Sequence, residues 1–314
     1  MNSLLSSKYP ILCAPMNRVS EKNLAVACYY AGIFPSISLL CYIDDNKLDW
    51  SKFEKDLIDF NSQTNSNTLL VSLTDVQFKT DKFQKLLDKK LFTHLEIICV
   101  NLRLNSNATL SEHDHSEFKL LITIFDKWKN FGYTILYKSL ARFVILDIEK
   151  HYQNSLFDGF VLKGPNAAGM VVDRKNNNSI YDDVIEILSY YPNTKIIASG
   201  GISTSIDIKR LLNIGADAVA IGTVYAASKE SILSNETKHQ MINSSSTDLS
   251  RFTKSNQNGL IFSKLDNDDF NNTKSLELGI KSGQHGHIFA GHGIDNICDI
   301  ISVQHITDSL TKEL

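Results

Sequence analysis

Two spacings of apolar residues alternate along this chain. Short branched or aromatic runs give way to stretches in which apolar residues recur every three or four positions, first the signature of a buried strand and then of an amphipathic helix. The strand-like runs are Pro10–Pro15, Phe34–Leu40, Leu69–Leu73, Leu95–Val100, Thr134–Tyr137, Asp158–Leu162, Lys195–Ala198 and Ala216–Ile221. Helical spacing follows Ser20, read as a cap, as far as Ala31-Gly32. It returns over Trp50–Phe60, Lys82–Leu91, Phe118–Phe131, Leu140–His151 and Ile180–Tyr190, while Asn105–Ser116 reads as polar loop. Eight strand-then-helix units predict an α/β fold, a parallel (β/α)8 TIM barrel.

The last unit, KIIASGGISTSIDIKRLLNIGADAVAIGT, shows the plan most openly. Ser203, Thr204 or Ser205 caps a helix with Ile206, Ile208, Leu211, Leu212 and Ile214 on one side. The near-continuous run Ala216–Ile221 suits a strand covered on both faces. Beyond Thr223 the alternation fades. Ala226–Met241 has helical character, Asn243–Asn272 is polar, Gly279–Gly293 is glycine-rich, and Asp295 to about Leu310 is a closing amphipathic helix. The expected organisation is a barrel core over 1–225, an insertion and glycine-rich loop covering the mouth over 226–293, and a closing helix packed on the barrel over 294–314.

Composition narrows the partners. The chain has 314 residues, 43% hydrophobic and 21% charged, with a formal net charge of −3, so no basic surface invites nucleic acid or an anionic membrane. Met1–Pro10 lacks the pattern of a secretion signal, and no apolar run reaches the roughly 18 residues of a membrane span. Cys13, Cys28, Cys41, Cys99 and Cys298 form no CxxC pair, which fits reduced thiols in a cytoplasmic protein. A small molecule is the expected ligand, and a homodimer is compatible with the sequence.

The chemistry gathers at strand ends. Gly200-Gly201 and Gly222-Thr223 end the seventh and eighth strands, where bare backbone N–H groups form an anion pocket for a phosphate. Lys138 and Lys163 end strands five and six on the same face, where an ammonium can stabilise developing negative charge. His285, His287 and His292 stand in the late glycine-rich loop, without a fourth ligand at a spacing that would indicate zinc. His113 and His115 read as part of a solvated loop.

Three segments, YPILCAPMNRVS, DGFVLKGPNAAGM and IIASGGIS with ADAVAIGT, together resemble the nitronate monooxygenase family, FMN-dependent (β/α) barrels related to flavin-dependent enoyl reductases. SGQHG is a weaker echo of a late segment in that family. The resemblance implies FMN as cofactor, with Ala14, Pro15 and Met16 against the isoalloxazine and Ser199, Gly200, Gly201, Gly222 and Thr223 around the phosphate. It further places Gly164, Gly169 and Gln284 at the cofactor, and Ser72 where the family often has asparagine. Lys138 and Lys163 would hold the phosphate or face the reduced ring.

One position departs from the pattern. The family's strand-six signature ends in Gly-Gly-His, with the imidazole transferring a proton; here it ends Ala168-Gly169-Met170. Methionine accepts no proton at neutral pH, so Lys163 and His285 become the catalytic candidates. The implied activity is oxidation or reduction of a small carbanion-forming or enoyl substrate, with NAD(P)H or O2 as co-substrate. The competing reading is an FMN- or phosphate-binding barrel without turnover, acting as a pathway partner or scaffold. A non-flavin barrel of the aldolase or nucleotide-dehydrogenase kind finds little else in its favour: no cysteine lies between Cys99 and Cys298 to act as a dehydrogenase nucleophile.

Overall fold

A computed structural model of the chain describes residues 4–44, 47–74, 77–98, 111–153, 156–172, 178–253, 260–265 and 288–314. Eight parallel strands form its centre: β1 (Ile11–Cys13), β2 (Ser36–Ser38), β5 (Leu70–Thr74), β6 (His94–Ile98), β7 (Thr134–Ser139), β8 (Gly159–Lys163), β10 (Ile196–Ser199) and β11 (Ala218–Ile221). They run β1-β11-β10-β8-β7-β6-β5-β2 around one sheet. A parallel bridge between Leu12 and Phe34 joins the two ends. With Phe34 N donating to Ile11 O at 2.7 Å and Cys13 N to Phe34 O at 3.0 Å, the eight-stranded sheet closes on itself. The expected TIM barrel is therefore present.

The helices flanking it are α1 (Lys22–Tyr30), α2 (Trp50–Thr64), α3 (Asp81–Leu87), α4 (Glu112–Asn130), α5 (Arg142–Tyr152), α6 (Ile180–Tyr190) and α7 (Ser205–Asn213). Side chains cap the starts of several of them. Asp49 accepts from Lys52 N ahead of α2, and reciprocal capping boxes pair Ser179 with Asp182 before α6 and Thr204 with Asp207 before α7. Thr204 is thus the cap among the three hydroxyls that open the last unit. On α2, Phe53, Leu57 and Phe60 are fully buried, each worth about 1.5–3 kcal/mol when removed from water.

Strand alternation separates two cores. Leu12, Phe34, Leu70, Leu136, Val161, Ile197, Ala218 and Ala220 fill the barrel interior, with Leu4 and Leu5 packed among them. Their neighbours Ile11, Cys13, Val71, Ile135, Phe160, Leu162, Ile196, Val219 and Ile221 face the helices. This period of two decides which strand-end residues meet inside the mouth.

Several sequence-level expectations are corrected. Ser20 does not cap α1: Glu21 occupies that position without a side-chain bond, and Ser20 is fully buried in the preceding loop. Ile206 is 65% exposed, because α7 buries only Ile208 and Leu211 fully. Glu112–Ser116 belongs to α4, so His113 and His115 are helical rather than in a solvated loop. The stretch Ala226–Met241 divides into α8 (Thr223–Ala226) and α9 (Asn235–Ile242). The closing helix is shorter than expected: a 3-10 turn spans His292–Asn296, and α10 (Val303–Leu310) starts only at its Ser302 cap.

Two hairpins decorate the barrel. β3 (Ile43–Asp44) pairs with β4 (Lys47–Leu48). In the late insertion, β12 (Leu249–Thr253) and β13 (Leu260–Leu265) pair antiparallel, and β13 then pairs with β9 (Gly169–Val172), the strand that follows β8. The insertion is thereby tied to the strand-six signature, with Phe262 opposite Met170.

Candidate active site

At the C-terminal end of the barrel the inward positions turn polar. Ser72 Oγ donates to Glu96 Oε1 at 2.7 Å, and Lys138 Nζ donates to the same oxygen at 3.0 Å. Glu96 is fully buried, and its Oε2 has no hydrogen-bond partner among the described residues. A buried carboxylate with one oxygen committed and one orphaned is costly for the protein alone, a feature that favours a ligand carrying an N–H donor.

Lys163 continues this polar ring on β8. Burial first, and the neighbouring Lys138 charge second, push its pKa down to about 7, against the pull of Glu96. The residue is only half-buried, so water from the mouth moderates the effect, while the direction follows from the protein packed round the amine. A Cβ added at Gly169 would lie 3.9 Å from Lys163 Nζ and 3.9 Å from Phe289 Cδ1. Lys163 Nζ thus stands beside Gly169, the residue just before Met170.

The glycine turns continue the mouth beyond Lys163, from β10, the strand next to β8, to β11. Gly200 (φ +110) and Gly201 (φ +76) occupy backbone conformations that side chains rarely adopt. Added Cβ atoms there would lie 2.9 Å from Ala167 Cβ and 2.8 Å from Asn166 Cβ, so the turn after β10 presses directly on the strand-six loop. That loop is held by Gly164 N donating to the Ser199 carbonyl at 2.7 Å. The amides of Gly200 and Gly201 donate to no acceptor among the described residues. Gly222 precedes the single turn of α8, whose first N–H groups have no intrahelical acceptor. Thr223 Oγ1 accepts from Gly291 N at 3.1 Å, leaving its own proton to donate. His292 N donates to Asn166 O at 3.0 Å, so the start of the 3-10 turn closes this edge of the mouth.

The Ala14–Met16 loop lies next to these turns. Ala14 N donates to Ile221 O at 2.9 Å, and a Cβ at Gly222 would meet Met16 Sδ at 3.3 Å. Ser20 shapes the turn around Pro15 by accepting from Met16 N at 2.9 Å and donating to Ala14 O at 3.3 Å. Just beyond, Arg18 sits at φ 61, and Asn17 Oδ1 and Arg18 Nε are buried without hydrogen-bond partners among the described residues. A non-glycine residue in that region stores strain of order 1–3 kcal/mol, which is characteristic of ligand-binding turns.

The structure therefore brings Ala14, Pro15, Met16, Ser72, Lys138, Lys163, Gly164, Gly169, Ser199, Gly200, Gly201, Gly222 and Thr223 to one end of the barrel. Gln284, His285 and His287 lie outside the described residues. Glu96, Asn17 and Arg18 escaped the sequence reading. For Glu96 a signal existed, since the alternation of Leu95 and Ile97 leaves it the inward position of β6. For Arg18 none did, because its backbone conformation is set by the Ser20 contacts.

No helix among the described residues is long and apolar enough to cross a membrane. Compared by sequence with individual curated proteins, the chain matches none. Among solved structures it is similar to FabK of Thermotoga maritima, with a TM-score of 0.75 and 18% identity over 99% of this chain and 94% of that one. It is also similar to nitroalkane oxidase of Streptomyces ansochromogenes, with a TM-score of 0.70 and 14% identity over 98% and 96%. At such identities these likenesses establish the fold. The family model for nitronate monooxygenase matches residues 39–313, which takes in six of the eight barrel strands and nearly all of the chain after them. With that match spanning most of its length, the chain belongs to the nitronate monooxygenase family of oxidoreductases.

Proposed function

We propose that this protein is an FMN-dependent oxidoreductase acting on a small carbanion-forming or enoyl substrate. The observation that carries the proposal is the fit between the mouth and the two ends of the cofactor. On one side Gly200, Gly201 and the first turn of α8 offer main-chain N–H groups suited to a phosphate. On the other, the orphaned Glu96 Oε2 offers an acceptor, and Lys138 and Lys163 offer donors, matching the alternating N–H and carbonyl groups of a flavin's pyrimidine edge. Ala14–Met16, seated against Gly222, supplies the apolar surface between them.

When bound, the flavin supplies two-electron redox chemistry, and the chain supplies orientation, charge and protons. Lys163, titrating near neutrality beside Gly169, takes the proton-transfer part that methionine at position 170 cannot. The Lys138–Glu96 ion pair, 3.0 Å apart, lies beside it. A nitronate carries its negative charge on the nitro oxygens, so a cationic ammonium at the mouth serves that substrate directly; an enoyl thioester needs the same group as a proton donor.

The test is single-turnover mixing of flavin-loaded protein with alkyl nitronate, and in parallel with NAD(P)H followed by an enoyl thioester. Bleaching of the flavin by either arm, with a rate reduced by about two to four orders of magnitude in Lys163→Met, is the expected result. A protein that binds FMN and bleaches with neither is the scaffold that Met170 would suggest.

A further inference from the structure

Outside the mouth, three side chains with metal-ligating atoms converge on the surface of the barrel. Asp147 and His151 lie one turn apart on α5, and His115 reaches them from the first turns of α4. His115 Nε2 is 3.3 Å from Asp147 Oδ2, and His151 Nδ1 is 3.4 Å from Asp147 Oδ1. The ring centroids of the two histidines are 4.4 Å apart, and one ligand atom from each of the three residues falls within 4.8 Å of the others. Neither α4 nor α5 contributes a residue to the polar ring of the mouth.

From this cluster we infer a divalent transition-metal site, formed by His115, Asp147 and His151, that staples the start of α4 to the end of α5. Donors bound to one zinc-sized ion at about 2.0–2.2 Å stand roughly 3.0–3.5 Å from one another. Each imidazole already lies at such a distance from one oxygen of Asp147, His115 from Oδ2 and His151 from Oδ1, so closure needs the carboxylate to share an ion between them and the His151 ring to turn toward it.

The surroundings are built for ligation rather than for a plain ion pair. His115 Nδ1 is 3.4 Å from the Tyr152 hydroxyl, which itself donates to the His115 carbonyl at 3.1 Å. This orients the ring and turns Nε2 toward Asp147, the outer-shell arrangement that metal-bound histidines use. Asp147 is largely buried although it sits on a helix surface, and its side chain is flanked by an imidazole on each side. His151 Nδ1 lies 2.8 Å from the Asp147 carbonyl, so its ring swings off that oxygen, or presents Nε2, when the ion enters.

Two imidazoles and one carboxylate select borderline ions such as Zn2+ over Mg2+, which prefers oxygen ligands. Three protein ligands leave a coordination position for water. This inference stands apart from the flavin proposal and does not depend on it.

The experiment titrates the full chain, stripped with chelator, with ZnCl2 by calorimetry and follows thermal unfolding in parallel. One Zn2+ should bind with micromolar or tighter affinity and raise the unfolding temperature, while MgCl2 at the same concentration does neither. His151→Ala removes an exposed ring and leaves the fold undisturbed; it should weaken the site at least tenfold, as should His115→Ala. His239→Ala, in which an exposed histidine on α9 is removed, should bind as the parent does. Zinc affinity and thermal shift unchanged in both His115→Ala and His151→Ala, or no binding by the parent at millimolar zinc, would overturn the inference.

Discussion

Lys163 and His94 illustrate how burial sets the behaviour of single residues here. Lys163 keeps its place in the mouth with a pKa near 7, so the pH–rate profile of the loaded protein should inflect near neutrality. Lys163→Met should abolish the inflection. Lys163→Arg should retain charge but not the titration, because a guanidinium does not deprotonate in this range. An unchanged profile in either variant would remove Lys163 from proton transfer. His94 sits deep in the barrel, its Nε2 3.0 Å from the Leu4 carbonyl and its ring 4.6 Å from that of Phe34. Burial lowers its pKa to about 4. Between pH 6.5 and 4 the unfolded chain binds a proton that the folded chain refuses, so stability falls as pH falls through that window. The loss amounts to about 3 kcal/mol once both limits are crossed. Urea unfolding at pH 7 and pH 4 should show it in the parent and not in His94→Gln.

The turns and helix starts govern the site at the level of elements. The turn after β10 is held against Asn166-Ala167 so closely that a methyl group does not fit. Gly201→Ala should therefore destabilise the fold by about 1–3 kcal/mol and reduce FMN retention more than it reduces stability, since the same turn presents the amides. Differential scanning calorimetry with and without FMN separates the two effects; equal thermal gain from FMN in parent and variant would show that this turn does not touch the cofactor. These turns were legible because glycine marks them. Less legible was the Ala14–Met16 loop, where a serine two positions before α1 looked like a helix cap and instead holds Met16 N. A hydroxyl near a helix start satisfies either role, and only the packing of Ser20 in the interior decides between them. In α4 the polar letters Glu112–Ser116 suggested loop, yet one face of the helix start is covered by α5, and charge on the outer face is no obstacle to helix.

Across the whole molecule the barrel was legible from periodicity alone, because each strand must be apolar on both faces while each helix needs only one apolar stripe. Closure through Leu12 and Phe34 was not, since a single bridge leaves no pattern in sequence. Nor was the pairing of β13 with β9, which joins residues far apart in the chain through backbone bonds that any side chain permits. The polar ring was half visible: lysines at strand ends drew notice, but Glu96, their buried counter-charge, becomes meaningful only when β6 is set between β5 and β7. The account as a whole rests on the mouth holding a flavin by its phosphate through main-chain amides. Its most direct test compares FMN with riboflavin, which shares the ring and lacks the phosphate, in equilibrium binding to the apoprotein by flavin fluorescence. FMN should bind with one-to-one stoichiometry and at least 100-fold more tightly than riboflavin, about 2.7 kcal/mol or more assigned to the phosphate. Equal affinity for the two, or binding of neither, would contradict the account.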